Sequence, residues 1–201
     1  MSETFSELYH KAINFHKEGN LREAKIHFEQ AYRIDTSNGM LVYNYANLLA
    51  DLGRYKQALI KYNEAIAIDN NVPSIFYNKG NCLLDLNCYN EAIQTFDKVL
   101  TLNPNYHQAQ FNKAVVLTAL KRVDEAIEAY KELLNRDPDF HLVNYNLACL
   151  YAKQLNVELA TKNLQIAIEK QDKEVDYKYE AGMDDDFDKI RHLKQFRKII
   201  E

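Results

Sequence analysis

Tryptophan is absent from this chain of 201 residues, and glycine and proline are scarce, with five and three copies. Because glycine and proline interrupt helices, their scarcity favours a chain that is almost entirely helical. No apolar run approaches the roughly 18 residues of a membrane-spanning helix, so we expect no membrane insertion. Low-complexity tracts are missing and 47% of the residues are hydrophobic, so the composition does not indicate disorder.

Cysteine is also rare, and its three copies follow no pairing or metal-binding pattern. Cys82 and Cys88 lie six residues apart, Cys149 is remote from both, and no C-x-x-C motif occurs. We therefore expect free thiols in a reducing compartment. Residues 1–7 lack the basic and apolar stretches of a secretory signal. The sequence thus predicts a soluble, cytoplasmic protein.

The chain has no excess of positive charge, since its formal net charge is −4. Nucleic-acid binding normally needs a basic surface, because neutralising phosphates supplies most of the affinity. The densest basic group has the three- and four-residue spacing of one helix face, and it consists of Arg191, Lys194, Arg197 and Lys198. We interpret it as a solvated face rather than an anion site, and we expect no nucleic-acid partner.

Catalytic motifs are missing as well. The sequence has no G-x-S-x-G, no glycine-rich phosphate loop and no H-E-x-x-H, so we predict no enzyme activity and no cofactor. The six histidines are scattered. His107 and His141 lie 34 residues apart, and we interpret them as residues that begin helices rather than as metal ligands.

The chain does contain one 34-residue pattern, written five times between residues 5 and 174. One series of small residues at this spacing is Ala24, Ala58, Ala92, Ala126 and Ala160. A second series, twelve positions earlier, is Ala12, Ala46, Gly80, Ala114 and Ala148. The predicted repeats are 5–38, 39–72, 73–106, 107–140 and 141–174. A fixed period of this length predicts stacked helix pairs that bury their apolar faces against one another.

The third repeat illustrates the predicted helix pair. Its first helix should span about 73–86, with proline at the first helical position, where the missing N–H has no partner anyway. Its second helix should span about 89–102 and stop before Pro104. Asn87 and Cys88 form the turn between them. The residues predicted to be buried are Phe76, Gly80, Leu83, Ala92, Phe96 and Val99.

These residues resemble the tetratricopeptide repeat (TPR). In the second repeat the matching residues are Tyr45, Ala46, Leu49, Gly53, Tyr55, Ala58, Tyr62 and Ala65. The resemblance extends over residues 5–174 without insertions. It implies an all-α fold, a right-handed α-α superhelix of antiparallel helix pairs. The sequence departs from the family where a bulky residue is usual, since Gln110 and Asn144 stand there in the last two repeats.

Residues 175–201 lie outside the period and resemble the ending that closes many bacterial TPR proteins. We predict a linker over 175–183 and then a capping helix. The apolar residues that should cover the fifth repeat are Phe187, Ile190, Phe196, Ile199 and Ile200. Asp184 and its acidic neighbours lack the glycine and the distant glutamate of an EF-hand calcium loop, so we interpret them as caps of helix N-termini.

In TPR arrays the first helix of each repeat lines a concave groove, and the resemblance places two sets of residues there. The aromatic set at the fifth repeat position includes Tyr43, Tyr77, Phe111 and Tyr145. The asparagine set comprises Asn44, Asn78, Asn112 and Asn146, with Asn47 and Asn81 nearby. We call the first four asparagines, one per repeat, the asparagine ladder. A carboxamide both donates and accepts hydrogen bonds, so the ladder could hold a peptide backbone. The alternative is that this pattern is merely average for the family and that part of the aromatic surface packs between repeats.

The groove lacks the cations of one well-known ligand site. TPR proteins that bind the C-terminal carboxylate of heat-shock proteins place lysine and arginine beside such asparagines, and here only the asparagines are present. A carboxylate ligand would find no counter-charge. Asp51 and Asp85 would instead favour a neutral or basic ligand.

The sequence therefore predicts a non-enzymatic scaffold that binds a protein or an extended peptide in this groove. An alternative is a structural subunit that assembles through its convex face or its ends, with a homodimer possible. An enzyme or a nucleic-acid binder is the third class, and both the missing motifs and the acidic balance oppose it.

Overall fold

A computed structural model describes residues 3–171 and 175–201 of this chain. All regular secondary structure in these ranges is helical. The chain forms two compact units that divide after residue 112, and each unit is described by itself. The predicted end of the fifth repeat, residues 172–174, lies outside the described ranges.

The first unit consists of antiparallel helix pairs. Its helices are α1 (Phe5–Lys17), α2 (Leu21–Ile34), α3 (Gly39–Asp51), α4 (Tyr55–Ile68), α5 (Pro73–Asp85) and α6 (Tyr89–Leu102). Within the pairs, α1 packs on α2, α3 on α4 and α5 on α6, and between pairs α2 packs on α3 and α4 on α5. The third pair agrees with the prediction, except that its first helix ends at Asp85. Helix α7 (His107–Ala119) spans the division between the units.

Small residues let the two helices of each pair approach closely. All five alanines of the first series are fully buried. Gly80 shows how short the distance is, because a Cβ atom there would lie 2.6 Å from Cε1 of Phe96. The aromatic ring thus lies directly against the backbone of the facing helix, and the contact leaves no room for a methyl group.

The turn inside each pair has one residue with a positive φ. In the first unit these residues are Gly19, Gly53 and Asn87, and in the second unit they are Lys121 and Leu155, both at 59°. Glycine adopts this left-handed conformation without steric cost, while a residue with a Cβ atom does not. The turns at Lys121 and Leu155 are therefore more strained than those at Gly19 and Gly53.

The second unit joins further helices to the terminal segment, which we define as residues 175–201. The helices are α8 (Val123–Arg136), α9 (Leu142–Lys153), α10 (Val157–Lys170), α11 (Tyr177–Met183) and α12 (Lys194–Ile200), with a short 3-10 helix at Asp185–Phe187. Helix α9 packs on α10, α12 packs on α10, and the 3-10 helix packs on α9. Phe187, Ile190 and Phe196 are buried, while Ile199 and Ile200 are half-buried.

The predicted linker over 175–183 is wrong, because helix α11 occupies most of it. The Asp176 carboxylate accepts hydrogen bonds from the backbone N–H groups of Lys178 and Tyr179, both at 3.1 Å, and so caps this helix. Tyr177 and Ala181 are buried on one of its sides. A helix of seven residues follows no repeat period, so periodicity could not indicate it.

Gln110 and Asn144, the two polar residues at a usually bulky position, are both buried, with 5% and 4% of their surfaces exposed.

No helix within the described ranges combines the length and the hydropathy that crossing a membrane requires.

Candidate functional site

The ten residues predicted to line the groove share one degree of exposure. All of them are half-buried, as expected for side chains that contact neighbours and still face a surface. In the first unit, helices α3 and α5 hold most of them, while Tyr145 and Asn146 lie on α9 of the second unit.

The asparagine ladder of the first unit is hydrogen-bonded within the protein. Each Nδ2 donates to the hydroxyl of the fifth-position tyrosine in the preceding repeat. The pairs are Asn44 with Tyr9 at 2.6 Å, Asn78 with Tyr43 at 2.9 Å and Asn112 with Tyr77 at 3.3 Å. Sequence reasoning missed these bonds, although the constant separation of 35 residues could have indicated them. The ladder therefore joins consecutive repeats.

A second bond uses the other proton of the same amide. Asn78 Nδ2 also donates to Oδ1 of Asn47 at 2.9 Å, and Asn112 Nδ2 to Oδ1 of Asn81 at 2.7 Å. The Tyr62 hydroxyl donates to the same Asn47 oxygen at 2.8 Å. Within the described ranges, Oδ1 of Asn78 and the amide nitrogens of Asn47 and Asn81 make no hydrogen bond. Each such pair thus presents one unused acceptor and one unused donor.

A cavity of about 590 Å³ lies beside these amides in the first unit. We call it the polar pocket. It is lined by His16, Asn47, Ala50, Asp51, Tyr55, Tyr62, Asn78, Asn81, Cys82 and Asp85. This volume falls in the range of ~300–1,000 Å³ that is usual for ligand sites. No lysine or arginine is among these lining residues, so the described wall of the pocket has carboxylates and no permanent cation.

The two carboxylates make the polar pocket electrostatically negative. Asp51 ends α3 and Asp85 ends α5, where the unpaired carbonyls of a helix C-terminus already add partial negative charge. Nε2 of His16 lies 2.6 Å from Oδ2 of Asp51. Burial, with Asp85 and Asp51 adding to it, raises the pKa of the Cys82 thiol to about 12. Cys82 is thus a neutral thiol in the pocket wall.

A smaller cavity of about 300 Å³ lies at the opposite ends of the same helices, where α3 and α5 begin. Its lining is mostly apolar and includes Met40, Tyr43, Ile68, Val72 and Ile75. Tyr43, one of the predicted groove residues, lines this apolar cavity at the start of α3, and the polar pocket lies at the end of the same helix.

In the second unit the terminal segment covers the equivalent positions. The Tyr145 hydroxyl donates to Oδ2 of Asp184 at 3.0 Å, and Cys149 Sγ lies 3.6 Å from the same oxygen. The Tyr145 ring stacks on Tyr177 at 4.8 Å between centroids. Tyr145, which was predicted to line a binding groove, thus already contacts the terminal segment of its own chain.

Of the aspartates interpreted as helix caps, Asp184 acts in the predicted way. Oδ1 of Asp184 accepts the backbone N–H of Asp186 at 2.9 Å and caps the 3-10 helix. Cys149, Asp184 and Asp186 bring one ligand atom each within 4.8 Å of one another. However, Lys153 pairs with Asp186 at 2.8 Å, and burial raises the pKa of the Cys149 thiol. An ammonium group and a protonated thiol oppose a cation at this place.

The sequence matches family models described as tetratricopeptide repeat or TPR repeat. The matched residues are 8–38, 46–87, 73–106 and 107–140. A comparison with curated proteins gives no match.

Several solved structures are similar. MamA 41-end from Desulfovibrio magneticus RS-1 has a TM-score of 0.77 and 19% identity, over 85% of this chain and 97% of that one. YrrB, described as a TPR protein with an unusual peptide-binding site, has a TM-score of 0.70 and 23% identity, over 84% and 93%. PilF of Pseudomonas aeruginosa has a TM-score of 0.73 and 17% identity, over 96% and 95%. These similarities confirm the predicted fold class, an all-α superhelix of the TPR type.

Proposed function

Because the chain belongs to the tetratricopeptide repeat family, we propose that it is a non-enzymatic interaction scaffold that binds an extended segment of another protein. The binding surface is the groove face of α3 and α5. The observation that supports this most directly is the pairing of an unused amide acceptor with unused amide donors at Asn47, Asn78 and Asn81.

An extended peptide backbone has the N–H and C=O groups that can pair with these unused amide atoms. Its N–H groups donate to Oδ1 of Asn78, and its carbonyls accept from Nδ2 of Asn47 and Asn81. Such bonds recognise the backbone and do not depend on the peptide's side chains. The rings of Tyr43 and Tyr77 add flat contact area, which aromatic residues provide at low entropic cost.

The internal hydrogen bonds prepare this surface for binding. The tyrosine hydroxyls and neighbouring carboxamides hold the ladder amides in one orientation before any ligand arrives. Affinity rises when fewer side chains have to be ordered on binding. The bonds between repeats therefore support the proposed function and do not compete with it.

The same surface opposes two other ligands. The polar pocket lacks lysine and arginine, so a C-terminal carboxylate would find no permanent cation there and would be repelled by Asp51 and Asp85. Nucleic acid would meet the same repulsion. A cytoplasmic location stays a prediction.

The proposal is tested by removing the outward donors without adding charge to the polar pocket. The double variant Asn47→Ala/Asn81→Ala lacks both amides, so nothing at these two positions donates to a ligand. The control Asn63→Ala/Asn90→Ala removes two exposed amides of α4 and α6. Proteins from a lysate of the source organism are captured on each form and quantified by mass spectrometry.

We expect the wild type and the control to retain the same partner and the groove variant to lose at least about tenfold of it, since each lost bond to a ligand costs roughly 1 kcal/mol. Melting temperatures of the three proteins show whether each is folded. Equal retention by all three would contradict a groove site, and so would a wild type that retains nothing.

A second candidate function, assembly through the convex face, is favoured by exposed isoleucines. Ile26 on α2 and Ile60 on α4 stand at the same repeat position and are 47% and 59% exposed. If this face forms a dimer, Ile26→Lys/Ile60→Lys abolishes it, as light scattering after size exclusion would show. A monomeric wild type would remove this candidate.

A further inference from the structure

Two helices of the first unit end in the residue type that a helix C-terminus disfavours. The last turns of α3 and α5 contain no basic residue, and each helix ends in aspartate, at Asp51 and Asp85. The free carbonyls of these last turns bear partial negative charge, and an added carboxylate there is unfavourable. Two such aspartates lower the free energy of unfolding unless a cation neutralises their charge.

Within the described ranges, the chain places a partner against only one of these two carboxylates. His16 lies against Asp51, with 2.6 Å between Nε2 and Oδ2. Asp85 is exposed and forms no ion pair with any described residue. By contrast, Lys153 at the same repeat position of α9 has the opposite charge and pairs with Asp186. The uncompensated negative charge is therefore specific to the polar pocket of the first unit.

The carboxylates also line a cavity of suitable size and chemistry. They share the polar pocket of about 590 Å³ with the amides of Asn47 and Asn81. Those amides are the donors assigned above to peptide carbonyls. A side chain that leaves the bound backbone at this point reaches the ends of α3 and α5.

From this arrangement we propose that the polar pocket binds a lysine or arginine side chain of the peptide, with Asp85 and Asp51 as its counter-charges. The inference rests on the proposed peptide-binding function and names its ligand class, an extended peptide with a basic residue. The ammonium or guanidinium group neutralises both carboxylates and the carbonyl ends of two helices. Asp85 supplies most of the selectivity because it has no partner within the described protein.

The test selects ligands without assuming a sequence. A phage library of random linear peptides is panned against the wild type, and the best peptide is made in a fluorescent form. A second version of that peptide replaces its basic residue by glutamine. Both are titrated by fluorescence polarisation against the wild type, Asp85→Asn and the control Glu23→Gln, which removes an exposed carboxylate on α2.

We expect selected peptides to share lysine or arginine at one position. The change to glutamine in the peptide should weaken binding to the wild type and to Glu23→Gln by about tenfold. It should weaken binding to Asp85→Asn by about twofold or less, because the Asp85→Asn protein has already lost the charge interaction that the glutamine removes. The Asp85→Asn protein should melt at the same or a higher temperature, because it loses an unfavourable charge from a helix C-terminus.

The outcomes separate this inference from the proposed function. Peptides that bind in the groove without a shared basic residue overturn the inference and leave the function standing. An equal loss for wild type and Asp85→Asn places the basic residue elsewhere and overturns it as well. If the library yields no binder, the proposed function fails and the inference fails with it.

Discussion

The groove side of α3 and the corresponding side of α9 have the same repeat positions and opposite uses. On α3, Tyr43 accepts a hydrogen bond from an asparagine of the next repeat, and Asp51 faces the polar pocket. On α9, Tyr145 donates to the Asp184 carboxylate, and Lys153 pairs with Asp186. Both the direction of the tyrosine bond and the sign of the terminal charge are reversed.

This comparison shows how one repeat pattern can produce two different surfaces. In the first unit the Tyr43 hydroxyl accepts a hydrogen bond from the Asn78 amide, whose oxygen makes no hydrogen bond with any described residue. In the second unit the carboxylate of Asp184 satisfies the same hydroxyl, and the terminal segment covers the ring. The fifth repeat therefore contacts its own chain, while the asparagines of the second and third repeats keep hydrogen-bonding groups that no described residue uses.

The largest expected effect concerns the contribution of the packed terminal segment to the stability of the second unit. Phe187 is fully buried, and its ring lies 6.0 Å from that of Tyr145 and 5.1 Å from that of Phe196. Phe187→Ala should lower the free energy of unfolding by about 3–5 kcal/mol, measured by urea denaturation. Tyr179→Ala, at a residue of α11 that is 66% exposed, should change it by less than about 0.5 kcal/mol. Equal effects of the two changes would contradict a packed terminal segment.

A pair of matched changes tests the reversed hydrogen bonds. Tyr145→Phe removes a bond to a carboxylate and should cost roughly 1.5–3 kcal/mol, while Tyr43→Phe removes a neutral bond and should cost roughly 0.5–1.5 kcal/mol. Both free energies of unfolding are measured by urea denaturation. If the order were reversed, the two tyrosines would not differ in the way described here.

The smallest effect concerns the turns. Leu155→Gly should raise the free energy of unfolding by about 0.5–1 kcal/mol, because leucine at φ 59° is strained and glycine is not. Gly53→Ala should have the opposite sign at the same turn of the first unit, where φ is 69°. Thermal melting of both variants checks the prediction, and a Leu155→Gly protein that melts lower would contradict it.

Much of the fold could be predicted because every repeat states the same pattern. The small residues of the helix pairs and the aromatic ring against Gly80 follow from spacing, and the break after Leu102 follows from Pro104. Helix α11 could not be predicted in this way, because its seven residues have no copy elsewhere and depend on Asp176 and on burial of Tyr177.

The candidate site was predicted as a set of residues but not as a set of bonds. Sequence predicted that Asn78 and Asn112 line a groove, and this stays a prediction. It did not show that each of these amides donates to a tyrosine and to a second asparagine, because the constant separation of 35 residues indicates such a pair only when the distance between the helices is also known. His16 was missed for the same reason, since it contacts Asp51 of the next repeat, 35 residues along the chain.

The tyrosine–asparagine bond has a consequence for how such a chain can change its length. It joins residues that are one repeat plus one residue apart, so removing residues 73–106 would bring Tyr43 and Asn47 into register with Asn112, which forms the same two bonds in the intact chain with Tyr77 and Asn81. Duplicating the second or the third repeat, each of which has a tyrosine at the fifth position, would insert another pair in the same register, whereas the fourth repeat has Phe111 there and no hydroxyl. Recombination between the tyrosine-containing repeats can therefore lengthen or shorten the array in steps of one repeat, and the new junction keeps a tyrosine–asparagine bond without a compensating substitution.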